Sequence, residues 1–350
     1  MSGLSDAAVT RLRTLGRWPA FESGRYSVIE EIGRGGMGTV YLAMDDELGR
    51  EVAIKIPNAL ASADLERRLQ REARVLATLE HPGIVPIHDI GRLADGRLFY
   101  VMKRVKGRTL RQHLPEVSDR AERLRLFERI LEPVAFAHAQ GFIHRDLTPG
   151  NIMVGRFGEV MVMDWGIAKA VVSRQSSVLG HESSVGSRQS GVVSHESSVG
   201  NRAAVEGGTA EGVAVGTIGF MAPEQAGGAG EAVDQRADVY GLGAILFFLC
   251  TGDDPAADAE PFARLRQRGV PRPLAAVCAR ALAKDPHHRY QTVSELADDI
   301  AAYRTGRAVS AYRETVLERA ARFGRTHRTA ILLVLAYMIM RAAVAILAGR

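Results

Sequence analysis

The sequence has 350 residues, of which 46% are hydrophobic and 24% charged, and carries a net charge of +5. That is enough chain and apolar material for two lobes or domains with sizeable cores. The basic balance admits nucleic acid or anionic lipid, but no basic stripe with interleaved aromatics runs through the first 300 residues, which argues against nucleic acid. Two isolated cysteines in apolar surroundings, Cys250 and Cys278, suggest neither a disulfide framework nor a metal site, and fit a reducing compartment.

Residues 1–24 form a leader of mixed polarity without the apolar core of a signal peptide; 7–15 could make two helical turns. From Arg25 the pattern turns to strands. Tyr26, Val28 and Ile32 lead into Gly33-Arg34-Gly35-Gly36-Met37-Gly38-Thr39-Val40. Glycines let backbone N–H groups approach phosphate closely. Alone, G-x-G-x-x-G is weak, and a tight hairpin explains it equally well. A dinucleotide-binding fold needs a helix next, whereas 40–43 continues as strand, which favours a hairpin lid over nucleotide. In the strand 51–56, Val52, Ile54 and Ile56 share one face, Ala53 and Lys55 the other. A lysine inside an apolar strand needs an anion.

The spacing predicts a helix over 63–79, with Leu65, Leu69, Leu76 and Leu79 as its stripe and Glu72 in the gap of that stripe. A glutamate there is costly unless paired, and Lys55 is the natural partner; otherwise Glu72 stays hydrated at the edge. His81-Pro82-Gly83 ends the helix and 84–85 begins a strand. Another strand, 98–102, runs into the polar connection 103–107. Residues 109–113 and 121–139 read as helices of a second, mainly helical lobe.

After a turn at Gly141 comes His144-Arg145-Asp146-Leu147-Thr148-Pro149-Gly150-Asn151, followed by a short strand over 152–154. A loop held at both ends can aim Asp146 at a hydroxyl and Asn151 at a metal beside it, as phosphoryl transfer requires. The strand 159–163 ends in Asp164-Trp165-Gly166; with Asn151 nearby this makes a hard oxygen site suited to Mg²⁺. Residues 173–200 are a 14-residue tandem repeat rich in serine and glycine, whose composition predicts disorder. Order resumes at Gly216-Thr217 and Ala222-Pro223-Glu224. Asp238 heads 239–250, which has no charge, is closed by Gly252 and reads as a buried central helix. Two amphipathic helices, 274–284 and 293–303, flank Arg289.

Together, and in this order over roughly residues 26–305, these motifs resemble the protein kinase family, most closely its bacterial transmembrane serine/threonine members. The resemblance implies an α+β, bilobal fold: an N-lobe over 25–105, with a small antiparallel sheet and one helix, and a mainly helical C-lobe over 106–305 that contains a long activation segment, 167–215. It implies ATP and Mg²⁺, with Mn²⁺ as the alternative ion. By position, Ile32, Gly33, Gly35, Gly36, Gly38 and Val40 would cover the phosphates. Lys55 and Glu72 would form the strand–helix ion pair. Met102 would be the gatekeeper, with the backbone of Lys103 and Val105 on the adenine edge and Val40, Ala53 and Met153 above and below the ring. Asp146 would be the catalytic base, Asn151 and Asp164 the metal ligands. Glu224 would pair with Arg289, and Asp238 would brace the catalytic loop. The implied activity is transfer to Ser/Thr hydroxyls of protein substrates, with autophosphorylation of the activation segment, between the copies of a dimer. Thr209 is the first candidate acceptor, repeat serines such as Ser176 and Ser183 rank below it, Thr217 faces substrate, and Arg145 would pair with the phosphate.

Three departures stand out. Thr148 occupies a position usually held by lysine near the γ-phosphate, the 164–224 interval is long, and 251–271 looks too short for the usual helix after the buried one. A pseudokinase scaffold would need a broken ion-pair or metal set, yet Lys55, Glu72, Asp146, Asn151 and Asp164 are all present. A small-molecule kinase fits poorly with the Ala222-Pro223-Glu224 segment.

At the C-terminus, 329–349 is a 21-residue apolar stretch interrupted only by Arg341, about the length that spans a bilayer. The segment before it, a basic linker over 306–328, follows Arg304; 304–328 holds seven arginines against Glu314 and Glu318, which places the catalytic lobes in the cytoplasm by the positive-inside rule and favours an anionic lipid surface. The alternative is a peripheral cytoplasmic protein in which 330–340 is a buried or interfacial helix. Related membrane kinases continue into an extracytoplasmic sensor, so the stretch is either an interior segment of a longer protein or a bare tail anchor.

Overall fold

The computed structural model describes residues 19, 21, 24–35, 38–56, 77–165, 218–226, 233–255, 260–326 and 328–348. Gly36, Glu72, Gly166, Thr209, Thr217, the leader 1–18 and the repeat 173–200 lie outside them, as does nearly all of the helix expected over 63–79.

Five strands, β1 (Tyr26–Gly35), β2 (Gly38–Asp45), β3 (Arg50–Ile56), β4 (Ile87–Arg92) and β5 (Leu98–Lys103), form an antiparallel sheet in the order β1-β2-β3-β5-β4. The two-residue period of β3 sorts its side chains as expected. Val52, Ile54 and Ile56 pack with Tyr26, Phe99 and Val101 on one face, while Ala53 on the other packs with Val85, Tyr100 and Met102. Arg25 clamps the buried Asp45 with two hydrogen bonds of 2.9 Å, which brings that carboxyl down to about 2. The strand expected at 84–85 starts later, at Ile87. Pro82 and Pro86 cannot donate to a ladder, and residues 83–84 instead reach the other lobe, where the Gly83 carbonyl accepts from the Val162 N–H at 2.8 Å.

A second sheet, β6 (Gly107–Thr109), β7 (Ile152–Gly155) and β8 (Val160–Val162), lies in the order β6-β7-β8. The helices are α1 (Leu110–His113), α2 (Arg120–Ala139), α3 (Pro223–Ala226), α4 (Arg236–Thr251), α5 (Pro261–Gln267), α6 (Arg272–Ala281), α7 (Val293–Arg304), α8 (Val316–Thr326) and α9 (Arg328–Ala348). Asp119 caps α2 by accepting from the Ala121 and Glu122 N–H groups. As its composition dictates, α4 is buried from Ala237 to Leu249. It stops at Gly252, whose φ of +80° is a left-handed cap that a Cβ would strain. A Cβ on Gly243 would lie 2.7 Å from the Ala281 Cβ, so this glycine sets the close approach of α4 to α6.

Two further expectations change. The stretch 251–271 does hold a helix, shortened to the seven residues of α5 and started by Pro261. The core does not end at 305: Val309 is 5% exposed within the main cluster, and Ala311 and Tyr312 pack against it. Among the described residues no helix is long and apolar enough to cross a membrane. The side chains of 343–348 in α9 are outside the description, and the stretch 331–342 is too short to span alone. Leu332, Leu333, Met338 and Ile339 within it are 60–70% exposed.

Candidate active site

The site is built outward from Asp238 in the first turn of α4, whose side chain is 1% exposed. Its Oδ2 accepts from the His144 N–H and from His138 Nε2, and its Oδ1 from the Arg145 N–H, all at 2.7 Å. Burial pushes its carboxyl up, but the hydrogen bond from His138 and the donors of the loop outweigh this, so it titrates below its usual range. Arg145 stands at φ +69°, a left-handed conformation rare for a non-glycine residue and costing about 1–3 kcal/mol. It is held from both sides, since Gln225 Nε2 donates to its carbonyl at 2.9 Å. The guanidinium donates to the Val233 carbonyl at 3.1 Å, while its Nε is buried without a hydrogen-bond partner. Burial lowers the Arg145 pKa.

His144 is fully buried. Its Nε2 donates to the Met163 carbonyl at 2.8 Å and its Nδ1 accepts the Asp146 N–H at 3.3 Å, which defines the neutral tautomer. The ring lies 4.7 Å from Trp165, which is itself fully buried and donates from Nε1 to the Val162 carbonyl at 3.1 Å. This bond orients the indole and meets the polar demand that tryptophan brings to a buried position.

Asp146 and Asn151 converge as their spacing predicts. Asn151 Nδ2 donates to the Asp146 Oδ2 at 3.0 Å and to its backbone carbonyl at 2.8 Å. The Asn151 carbonyl accepts from the Met163 N–H at 2.7 Å, which brings Asn151 and Asp164 to the same end of the β7–β8 ladder. Burial raises the Asp146 carboxyl, with Asp164 adding to the shift and Asn151 and Lys55 opposing it. Asp164 has φ +54°. Its Oδ1 lies 2.6 Å from Lys55 Nζ, and Lys55 is 6% exposed. The lysine therefore finds its anion across the cleft in Asp164; Glu72 lies outside the described residues.

Among the described residues no group of three or more His, Cys, Asp or Glu side chains could hold a metal. The donor set nevertheless fits Mg²⁺, which keeps several waters and takes one or two protein oxygens plus phosphate. Asp164 supplies a carboxylate, and Asn151 commits its amide nitrogen to Asp146, leaving its amide oxygen without a protein donor among the described residues.

Above this pair, Ala53, Met102, Tyr100 and Val85 pack with the half-buried Val40, Val105 and Met163. Val40 sits opposite Lys55 in the ladder. The Lys103 N–H is taken by the Pro86 carbonyl at 3.1 Å. The Val105 N–H has no protein acceptor among the described residues. Met153 is half-buried on β7 and lies outside this cluster, whereas Met163, missed in the sequence, belongs to it. Its place one residue before Asp164 at the end of β8 was the available signal. Gln225 and His138, both holding the loop, were also missed; neither has a periodicity or motif that marks it. Gly33 and Gly35 face Val40 and Gly38 across the hairpin turn, and Ile32 is 49% exposed. Farther off, Arg289 reaches Glu224 with bonds of 2.6 and 2.8 Å, the pairing expected from sequence.

A protein kinase domain model matches residues 26–195. The chain is 34% identical over 312 residues to the probable serine/threonine-protein kinase PknB of Bifidobacterium longum, covering 82% of this chain and 41% of that protein. It is 34% identical over 296 residues to serine/threonine-protein kinase PrkC of Bacillus subtilis, covering 79% and 40%. The chain thus spans about two fifths of the length of these curated relatives. Among solved structures, the kinase domain of Mycobacterium tuberculosis PknI superposes with a TM-score of 0.58 at 26% identity, over 81% of this chain and 96% of that one.

Proposed function

The chain belongs to the protein kinase family, and from that premise we propose that it transfers the γ-phosphoryl group of ATP to serine and threonine hydroxyls of proteins. The observation that carries this reading is the Asp146 carboxylate fixed by Asn151, beside the Lys55–Asp164 pair. Asp146 accepts the hydroxyl proton and aligns the hydroxyl for attack. Lys55 supplies a fixed cation for phosphate oxygens. Asn151 and Asp164 would hold Mg²⁺, which when bound offsets phosphate charge. Val40, Ala53, Met102 and Val105 offer an apolar slot to the purine, with the Val105 N–H, which has no protein acceptor among the described residues, as a donor.

The test is transfer from labelled ATP to the chain itself and to a generic basic protein, followed by phosphoamino-acid analysis. Phosphoserine or phosphothreonine that disappears in Asp146→Asn supports the proposal; transfer no faster than in that variant, or phosphotyrosine alone, overturns it.

The same reading includes autophosphorylation between copies within 167–215, with Thr209 as first acceptor. It also includes anchoring of the chain in a membrane by α9, with the catalytic lobes on the cytoplasmic side. The full apolar run 329–349 and the arginines before it support the anchor. Release of the full-length protein from membranes by carbonate would rule out the span.

A further inference from the structure

Between the first turn of α2, the start of α6, the end of α7 and the chain from 305 to 322 lies an open cleft of about 950 Å³. Its volume is that of a ligand pocket. Four arginines line it, Arg120, Arg304, Arg307 and Arg322, against Asp119 and Glu314. Two of the four are neutralised: Arg322 Nε lies 2.9 and 3.0 Å from the Glu314 carboxylate, and Arg304 pairs with Glu128. The Asp119 carboxylate caps α2 and has its ion-pair partner in Arg125 at 3.9 Å. Arg120 meets the Gly269 carbonyl and the Tyr303 side chain, Arg307 donates to the Thr305 hydroxyl, and neither has a carboxylate partner among the described residues. The cleft therefore keeps two uncompensated guanidinium groups, whose planar donor forks match phosphate oxygens.

We propose that this cleft binds the phosphate headgroup of an anionic membrane lipid. The inference rests on the reading that α9 spans the bilayer. Arg322 precedes residue 329 by seven positions, of which 322–326 lie in α8 and 328–329 in α9, where the rise is 1.5 Å per residue, so it stands close to the start of the apolar run. A polar headgroup region several ångström thick flanks the hydrocarbon there. The cleft wall and the headgroup layer thus meet along one short segment, and the unpaired charges are of the sign that an anionic leaflet attracts.

The full-length protein in neutral detergent is titrated with short-chain phosphatidylglycerol, with short-chain phosphatidylcholine and with inorganic phosphate, and bound species are read by native mass spectrometry. Saturable phosphatidylglycerol binding is expected, with phosphatidylcholine and inorganic phosphate each at least tenfold weaker. Arg120→Gln combined with Arg307→Gln should weaken phosphatidylglycerol binding at least fivefold. Ala121→Asp, which adds an acidic group to the cleft wall in the first turn of α2 where it favours the helix, should do the same and covers a failure of the arginine variant to fold. Wild-type affinity in Ala121→Asp and in a folded arginine variant overturns the proposal, as does inorganic phosphate binding as tightly as the lipid. Carbonate extraction of the wild-type protein reports the span separately: release removes the anchor on which the inference rests, whereas retention with unchanged variant affinities overturns the cleft alone.

Discussion

Lys55 Nζ and Asp164 Oδ1 meet at 2.6 Å, across 109 positions of sequence, and the lysine is the more buried partner. This pair joins the sheet of the N-lobe to the end of β8. It also places a cation on the carboxylate proposed to hold the metal. Lys55→Met should therefore separate two properties. Turnover should fall by about 10²–10³, the scale for losing one fixed electrostatic contact to a reacting group. Mn²⁺ binding in the absence of nucleotide should not weaken, because the competing ammonium has left Asp164. Paramagnetic resonance of free Mn²⁺ measures the second property; weaker binding would show that Lys55 supports the metal site instead of competing with it.

Asp146 titrates above its usual range through burial. A base must be ionised to act, so kcat/KM should fall as the pH drops through this raised pKa. Asp146→Asn should lower turnover by about 10²–10⁴ and remove that limb. The sign for stability is the reverse of a paired carboxylate. A raised folded-state pKa contributes stability below the unfolded pKa that is lost as pH rises through the folded value, so the charged group is a net cost at neutral pH. Asp146→Asn should therefore match or exceed the wild-type Tm at pH 7. A marked loss of Tm would make Asp146 part of the scaffold.

Asp238 behaves oppositely. Its lowered pKa stabilises the fold above the unfolded pKa, and this contribution is lost as pH falls through the folded value. Asp238→Asn places an amide N–H₂ against one of the loop's own N–H groups whichever way it flips, because both carboxylate oxygens accept. We expect a loss of about 3–5 kcal/mol in urea unfolding, shrinking toward acid pH, and a loop whose Arg145 no longer holds φ +69°. A cost under about 1 kcal/mol at pH 7 would mean the network has slack.

Arg289 has a fully buried side chain and meets Glu224 in a two-pronged pair, while also donating to the Ala283, Lys284 and Arg236 carbonyls. Glu224→Ala strands this cation and should cost about 3 kcal/mol. Arg289→Met combined with Glu224→Leu removes both charges and should recover part of the loss. Additive losses in the two single variants and the double variant would show that the pair does not act as a unit.

Much of this was legible in the sequence because the groups announce themselves through spacing. The Asp146–Asn151 interval, the alternation around Lys55 and the uncharged stretch 239–250 of α4 follow from local pattern plus the cost of burying a charge, whereas the Glu224–Arg289 pairing came from the family resemblance. What escaped depends on where separate segments come together. Gln225 caps a carbonyl 80 residues away, and Met163 joins the N-lobe cluster through its own place in the chain fold. Trp165 could be named at its position, but its hydrogen bond to Val162 could not. The strand start at Ile87 was misplaced because apolar Ile84 and Val85 look like strand while the flanking prolines forbid a ladder.

Asp299, in α7, accepts from the Tyr290 hydroxyl, from the Ser310 N–H and hydroxyl and from the Ala311 N–H, at 2.6–3.1 Å. Just beyond, Tyr312 donates to Glu318, which also caps the start of α8. The stretch that leaves the C-lobe is therefore not slack rope but a bolted bracket. A tilt or a pull on the helices beyond it reaches α7 as leverage instead of dissipating in a loose tether, and cutting the chain near Arg307 removes the bracket along with its load.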